Sequence, residues 1–230
     1  SDLSDHVTEA LRTQDPITLD GDLSEWQAAA PVKVDTKENV LRGSSQWEGP
    51  ETASFVARFL WDDQNLYIAA HVRAPGHRQI MTGAEVWKGD TLLVYLDTKH
   101  QGSSVDQKFT LAQTPDGPQV WNWKGGDFLT EAKMAWKQTA SGYNYEAAIP
   151  WKSLFVDDVA DGKVLGFDVG RGFGGSGFQD FTGKDPDTAS NLAPLKLVTA
   201  LSPAAQSAAS GQPPAPDAID AALADIRRVL

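Results

Sequence analysis

Apolar and polar residues alternate with a period of two along most of this chain. Phe55, Ala57, Phe59 and Trp61 form one such series, and Leu66, Ile68, Ala70 and Val72 form another, with Asp62-Asp63-Gln64-Asn65 between them. Successive side chains of a strand point to opposite faces, so this pattern predicts two half-buried strands joined by a tight turn. The alternation recurs in Leu92, Val94 and Leu96 and in Phe109 and Leu111. Further strands are predicted over 118–123, 132–140, 142–149, 165–173 and 194–199. Ala74-Pro75-Gly76, Pro115-Asp116-Gly117-Pro118, Ser141-Gly142 and Asp161-Gly162 supply the turns. About ten short strands without long helices between them predict an all-β fold: a two-sheet antiparallel β-sandwich, jelly-roll-like, over residues 16–200.

The ends of the chain read differently. Leu3, Val7 and Leu11 recur at helical spacing behind Ser4, which predicts a short helix or linker over residues 1–15. Residues 201–216 are rich in Pro, Ala and Ser and read as a linker. Over 217–230, Ile219, Ala222, Ile226 and Val229 form the stripe of an amphipathic helix capped by Asp217. Leu230 falls inside that stripe, so two readings stand: the start of a further region of a longer protein, or a helix packing on its own sandwich.

Composition narrows the partners. The net charge of −11 lacks the basic footprint that nucleic acid or an anionic membrane requires, and no run of 18 apolar residues is present. The absence of cysteine excludes disulfides, thiolate catalysis and Cys-ligated zinc. The N-terminus carries no basic segment followed by an apolar stretch, so no signal peptide is expected within the chain.

Four ordered segments carry more specific information. They are Ile17-Thr18-Leu19-Asp20-Gly21-Asp22-Leu23-Ser24-Glu25-Trp26, the hairpin Phe59–Ile68, Val86-Trp87-Lys88-Gly89-Asp90-Thr91-Leu92-Leu93-Val94-Tyr95-Leu96-Asp97, and Tyr143–Trp151 followed by Leu165–Val169. Together they resemble the family 9 carbohydrate-binding modules and their β-sandwich relatives. The resemblance implies a non-catalytic module, part of a larger polysaccharide-acting protein, that holds a poly- or oligosaccharide between two tryptophans, with calcium as a structural ion and a secreted or periplasmic location. Trp87 occupies the position of the first sandwiching tryptophan. The remaining set departs from the family: Leu93 stands where relatives place a glutamate, and Thr110 and Ala112 stand where they place an arginine and an asparagine. The segment from Phe178 to Asp187 lacks the second tryptophan, with Phe181 as its substitute.

The eight tryptophans divide accordingly. A tryptophan offers a broad apolar face and one N–H donor, suited to a core or to the C–H face of a sugar. Trp26, Trp61, Trp151 and Trp136 read as core. Trp47 is a loop residue, either a plug or an exposed contact. Trp121 and Trp123, two apart, share one strand face, which suits either a stacking platform or the inner face of the sandwich. The expected sugar contacts are Trp87, with Trp121, Trp123 or Phe181 as a second wall and Lys88, Asp90 and Arg171 as polar partners; Asp90 also suits a loop anchor. For calcium, the oxygen-rich turns are Asp20/Asp22 and Asp62/Asp63, with Asp180/Asp185/Asp187 as a further candidate.

Other constellations carry less. Gly170-Arg171-Gly172-Phe173-Gly174-Gly175 matches G-x-G-x-x-G but lacks the following helix of a dinucleotide site, and reads as a loop. No nucleophile elbow or zinc spacing is present, so no catalytic residue is assigned. Relatives of this sandwich also include b-type haem domains of electron transfer, for which Met81, Met134 and His71 supply the residue types. A third alternative is an interaction domain with a decayed sugar site, which Leu93, Thr110 and Ala112 favour.

Overall fold

The computed structural model describes residues 7–211. Its strands run β1 (Thr8–Arg12), β2 (Pro31–Val34), β3 (Val40–Arg42), β4 (Ser54–Trp61), β5 (Asn65–Arg73), β6 (Leu92–Asp97) and β7 (Gln107–Thr114). They continue as β8 (Gly117–Asn122), β9 (Asp127–Phe128), β10 (Lys133–Gln138), β11 (Gly142–Pro150), β12 (Val164–Phe173), β13 (Gly177–Asp180) and β14 (Ala193–Val198), followed by helix α1 (Pro203–Ser210).

The period-two alternation decides the packing. In the β4–β5 hairpin Phe55 faces Val72 and Phe59 faces Ile68, so both apolar series point to one side and are buried together. The strand order β10-β11-β5-β4-β1-β14-β12-β6-β7-β8-β9 curls into two opposed faces, with β2 added to β4 and β13 with β3 added to β12. The inner faces meet in a core that includes Phe55, Phe59, Trp61, Leu92, Val94, Phe109, Tyr145 and Phe167, with Phe59 edge-on to Phe167 at 5.3 Å. The β-sandwich expected from the sequence is therefore the fold, extending from Thr8 to Val198 and antiparallel except where β1 pairs with its neighbours.

Two expectations at the ends are corrected. Within residues 1–15, Thr8–Arg12 is a strand rather than a helix. β1 lies parallel between β14 and β4, and its backbone groups complete the ladder of both. Trp61 fixes this seam, donating from Nε1 to Ala10 O at 3.0 Å and to Val198 O at 3.1 Å. Within 201–216, Pro203–Ser210 is helical rather than linker. Ser202 caps it by accepting from Ala205 N, Pro203 opens its first turn, and Gly211 closes it in the left-handed conformation. Glu9 of β1 accepts from Ser202 N at 2.9 Å and so docks the helix on the sandwich. The helix predicted over 217–230 lies outside the described residues.

The opening motif is tied to β11 by one side chain. Fully buried Glu146 accepts from Asp20 N at 3.0 Å, Gly21 N at 2.5 Å and Trp26 Nε1 at 2.8 Å. Asn144, two residues earlier on the same face, donates to Gly21 O at 2.9 Å. Gly21 has φ 81°, and a Cβ there would stand 2.5 Å from Lys137 Cβ, so the turn requires glycine. Burial raises the Glu146 pKa while the three donors oppose that rise. Glu146→Ala orphans all three donors, and urea unfolding should show a loss of about 3 kcal/mol, with Glu146→Gln losing less.

Candidate functional site

Among the described residues Trp87 is the most exposed tryptophan, at 61%. It sits on a 3₁₀ turn, Gly83–Lys88, between β5 and β6. That turn is braced from below by buried Gln79, which donates from Nε2 to Val86 O at 2.6 Å and to Asp90 O at 3.2 Å, and accepts at Oε1 from Met81 N at 2.9 Å. Gly89 passes so close that a Cβ would lie 2.7 Å from Gln79 Oε1, which explains the glycine after Lys88. Lys88 pairs with Glu85 and carries its ammonium 5.5 Å from the Trp87 ring centroid.

The turn rests on an aromatic shelf. Trp121 packs edge-on against Phe128 at 4.9 Å and against Trp123 at 6.2 Å. Gly83 lies over this shelf, with a Cβ position 3.6 Å from Trp121 and 3.7 Å from Phe128, and its N–H donates to Gln119 Oε1. Val120 belongs to the core, so its neighbours Trp121 and Trp123 occupy the outer face, half-buried. This decides between the two sequence readings: they are not inner-face residues. Trp123 Nε1 donates to Thr110 Oγ1 at 2.6 Å, so Thr110, at the family's arginine position, serves the shelf. Leu93, at the family's glutamate position, packs beside Tyr95, Val105, Phe178 and Leu192 in a separate apolar cluster.

Three expected sugar contacts are placed elsewhere. Arg171 is 2% exposed and lies inside the open end of the sandwich, not on a rim. Its guanidinium donates to Gln179 Oε1 and Tyr143 OH, both at 3.3 Å, and stands 3.8 Å from Asp90 Oδ1. A buried cation needs such a counter-charge. Asp90 accordingly acts as the loop anchor, also accepting from Arg78 N while Asp90 N donates to Arg78 O at 2.7 Å. Phe181 stacks on core residue Phe167 at 5.5 Å and is not a free second wall. His77 closes the same end, 4.7 Å from Trp136 and 4.9 Å from Tyr143, and burial lowers its pKa. Arg171 also belongs to β12, so Gly170–Phe173 is strand, with only Gly174 and Gly175 entering the turn to β13.

Among the other tryptophans, Trp26, Trp61 and Trp151 are buried as expected, and half-buried Trp136 packs against the core. Trp47 is the loop plug, its Nε1 donating to Ala53 O at 2.9 Å. Two shelf residues escaped the sequence reading, Phe128 and the brace Gln79. The Gly125-Gly126 turn before Phe128 was the available signal for the former; a lone glutamine carries none.

The carboxylates of the metal candidates are engaged within the fold. Asp20 Oδ1 accepts from Asp22 N, and Asp22 Oδ1 accepts from Ser24 N. Asp62 Oδ1 accepts from Gln64 N and Asn65 N while its Oδ2 takes the Tyr67 hydroxyl. Asp63 pairs with Arg12 at 2.8 Å. These carboxylates cap their own turns, and Asp185 and Asp187 do likewise or pair with Lys108. Among the described residues no three His, Cys, Asp or Glu side chains gather to hold a metal. The haem residues fit no better. Met134 packs on the core side, whereas His71 faces outward and engages Asn144 Oδ1 at 2.7 Å and Ser141 Oγ at 3.1 Å.

Asp168 and Asp180 form a buried carboxylate pair under the loop that follows β13. Asp168 accepts from Val169 N at 2.8 Å, Phe181 N at 3.0 Å and Thr182 Oγ1 at 2.5 Å, and Asp180 accepts from Gly183 N at 2.6 Å. Burial raises the pKa of both, that of Asp180 to about 7.

A β-sandwich with a braced tryptophan on its rim is an architecture shared with carbohydrate-binding modules. The chain is a member of the carbohydrate family 9 binding domain-like family, whose model matches residues 19–171. It is 25% identical over 152 residues to an endo-1,4-beta-xylanase A of Thermotoga neapolitana, and 28% identical over 121 residues to exoglucanase XynX of Acetivibrio thermocellus. Those alignments take in 66% and 53% of this chain but only 13% and 11% of the enzymes. Among solved structures, a family 9 carbohydrate-binding module from Caldicellulosiruptor kristjanssonii in complex with cellotriose superposes with a TM-score of 0.63 at 16% identity, covering 86% of this chain and 96% of that one. A putative carbohydrate-binding protein from Bacteroides uniformis gives 0.60 at 10% identity, covering 83% and 98%.

The carboxylate pair yields a pH prediction. Between the ordinary value of 3.8 and about 7, the folded state holds a proton on Asp180 that the unfolded chain has released. Proton binding to the folded state exceeds that to the unfolded state, so this contribution to stability falls as pH rises through the window. Calorimetry should show a larger Tm loss between pH 5 and pH 8 for the wild type than for Asp180→Asn; His77, of opposite sign, contributes equally to both.

Proposed function

We propose that this chain is a non-catalytic module that binds a β-1,4-linked saccharide on Trp87, and that it serves as the targeting part of a longer, secreted or periplasmic polysaccharide-acting protein. The observation that carries the reading is an exposed tryptophan on a turn whose backbone is already fixed by Gln79, Gly89 and the Trp121–Phe128 shelf. A platform that needs no ordering on binding loses little entropy when a ring stacks on it. The C–H face of a pyranose lies on the indole. Lys88 stands over the ring, within reach of the sugar's hydroxyls. Trp121, Trp123 and Phe128 flank the platform as an apolar shelf for a neighbouring unit. The names of the relatives, xylanases and an exoglucanase, and the cellotriose bound in a neighbour of the same fold, support xylan or cellulose fragments as ligands.

Leu93, Thr110 and Ala112 replace the family's polar contacts, which favours weak, ring-stacking recognition over a tight clamp around one sugar. Isothermal titration with cellotriose and xylotriose tests the reading. Trp87→Ala should weaken binding at the Trp87 turn at least tenfold, a loss of about 1.4 kcal/mol or more, with an unchanged Tm. Failure of the wild-type protein to bind either sugar would favour an interaction domain instead.

A further inference from the structure

At the other end of the sandwich, Phe155 defies folding economy twice. It follows the 3₁₀ turn Trp151–Leu154 at the end of β11 and closes it with φ 56° and ψ 36°, the left-handed region where a Cβ is disfavoured and glycine is the usual choice. Its ring is 86% exposed, more than any other large apolar side chain among the described residues. Stability alone selects neither feature. Such a residue, strained in backbone and unburied in side chain, points to use at a surface.

The ring borders an open groove of about 550 Å³ lined also by Asp63, Gln64, Trp151, Lys152, Val156, Asp157 and Val159. The frame is rigid. Phe155 N donates to Lys152 O at 3.2 Å, Val156 N to Trp151 O at 3.1 Å and Trp151 Nε1 to Asp62 O at 2.9 Å. Gln64, Lys152 and Asp157 make no side-chain hydrogen bond or ion pair to a described residue, and Asp63 spends only one oxygen on Arg12. Donors and acceptors of both signs therefore surround one aromatic side chain carried on a hydrogen-bonded turn, in a concavity of the size that takes small ligands.

We propose that this groove is a second saccharide site, taking the C–H face of a pyranose on Phe155 and its hydroxyls on Gln64, Lys152 and Asp157. The mixed, unpaired polar rim suits a neutral polyhydroxylated ring better than an apolar protein surface. The proposal rests on the reading of the chain as a sugar-binding module, yet uses none of the same residues. β11 runs from Gly142, beside the Trp87 end, to Pro150, beside Phe155, a separation of roughly 27 Å at the usual strand rise. Two sites so placed let one module engage two polysaccharide chains.

The test is a titration of ¹⁵N-labelled protein with cellotriose and xylotriose, followed by amide shifts. The wild type is expected to show two independent sets of moving signals, one at Gln64, Lys152, Phe155 and Val156 and one at Trp87, Lys88 and Gly89. Phe155→Gly relieves the left-handed strain and should raise Tm while weakening the first set at least tenfold and sparing the second. Phe155→Leu, which keeps bulk but not the flat ring, should weaken the first set as well. Immobile signals at the Phe155 end, or a Phe155→Gly variant that binds there as well as the wild type, overturn the second site. Loss of the Trp87 set alone overturns the first reading and leaves this one standing; silence at both ends overturns both.

Discussion

The structure hangs on a carboxylate that has no contact with solvent. Glu146 gathers two backbone N–H groups of the Asp20-Gly21 turn and the indole N–H of Trp26, and it does so from the middle of β11. Without it the turn is tied to β11 by the Asn144 bond to Gly21 O, and Trp26 loses the partner of its buried N–H. β11 is thereby the spine of one sheet, paired to β5 along its whole length and to β10 over most of it. Both proposed binding ends are reached from that spine, one through Tyr143 and Arg171, the other through Pro150 and Trp151.

The same economy governs the rim. A 3₁₀ turn of six residues has little stability of its own, so the Trp87 platform depends on what lies beneath it. Gln79 donates to the carbonyls of Val86 in the turn and Asp90 just beyond it, and the edge-on aromatic shelf supplies an apolar seat. Arg171 and Asp90, expected to greet a sugar, neutralise one another below the surface and hold the loop from within. Leu93 packs in an apolar cluster and Thr110 holds the Trp123 indole N–H, so both side chains serve the framework of this rim.

Much of the fold was legible because alternation is a direct record of which face is buried. Trp61 was assignable for that reason, as was the β4–β5 hairpin with its acidic turn, whereas Trp26 and Trp151, on 3₁₀ turns, were read from the motifs around them. β1 was not: in Thr8-Glu9-Ala10-Leu11-Arg12 only Ala10 is fully buried, and the strand exists because β4 and β14 need its backbone. α1 was hidden by a composition common to linkers and helices, its identity resting on the Ser202 and Gly211 caps. At the candidate site, the loop position of Trp87 and Lys88 was legible, but not the burial of Arg171 or the stacking of Phe181, since both depend on which strand crosses the sandwich mouth.

The seam at β1 has a mechanical consequence. β1 and β14 lie side by side and parallel, matched at Thr8 with Leu195, Glu9 with Lys196, Ala10 with Leu197 and Leu11 with Val198. The chain enters β1 at the Thr8 end and leaves β14 at the opposite end. Tension drawn between the two flanking segments therefore slides the strands along one another, loading all four pairs together instead of peeling them one by one. Force applied along the strand axis through these two segments therefore meets the whole register of the seam at once.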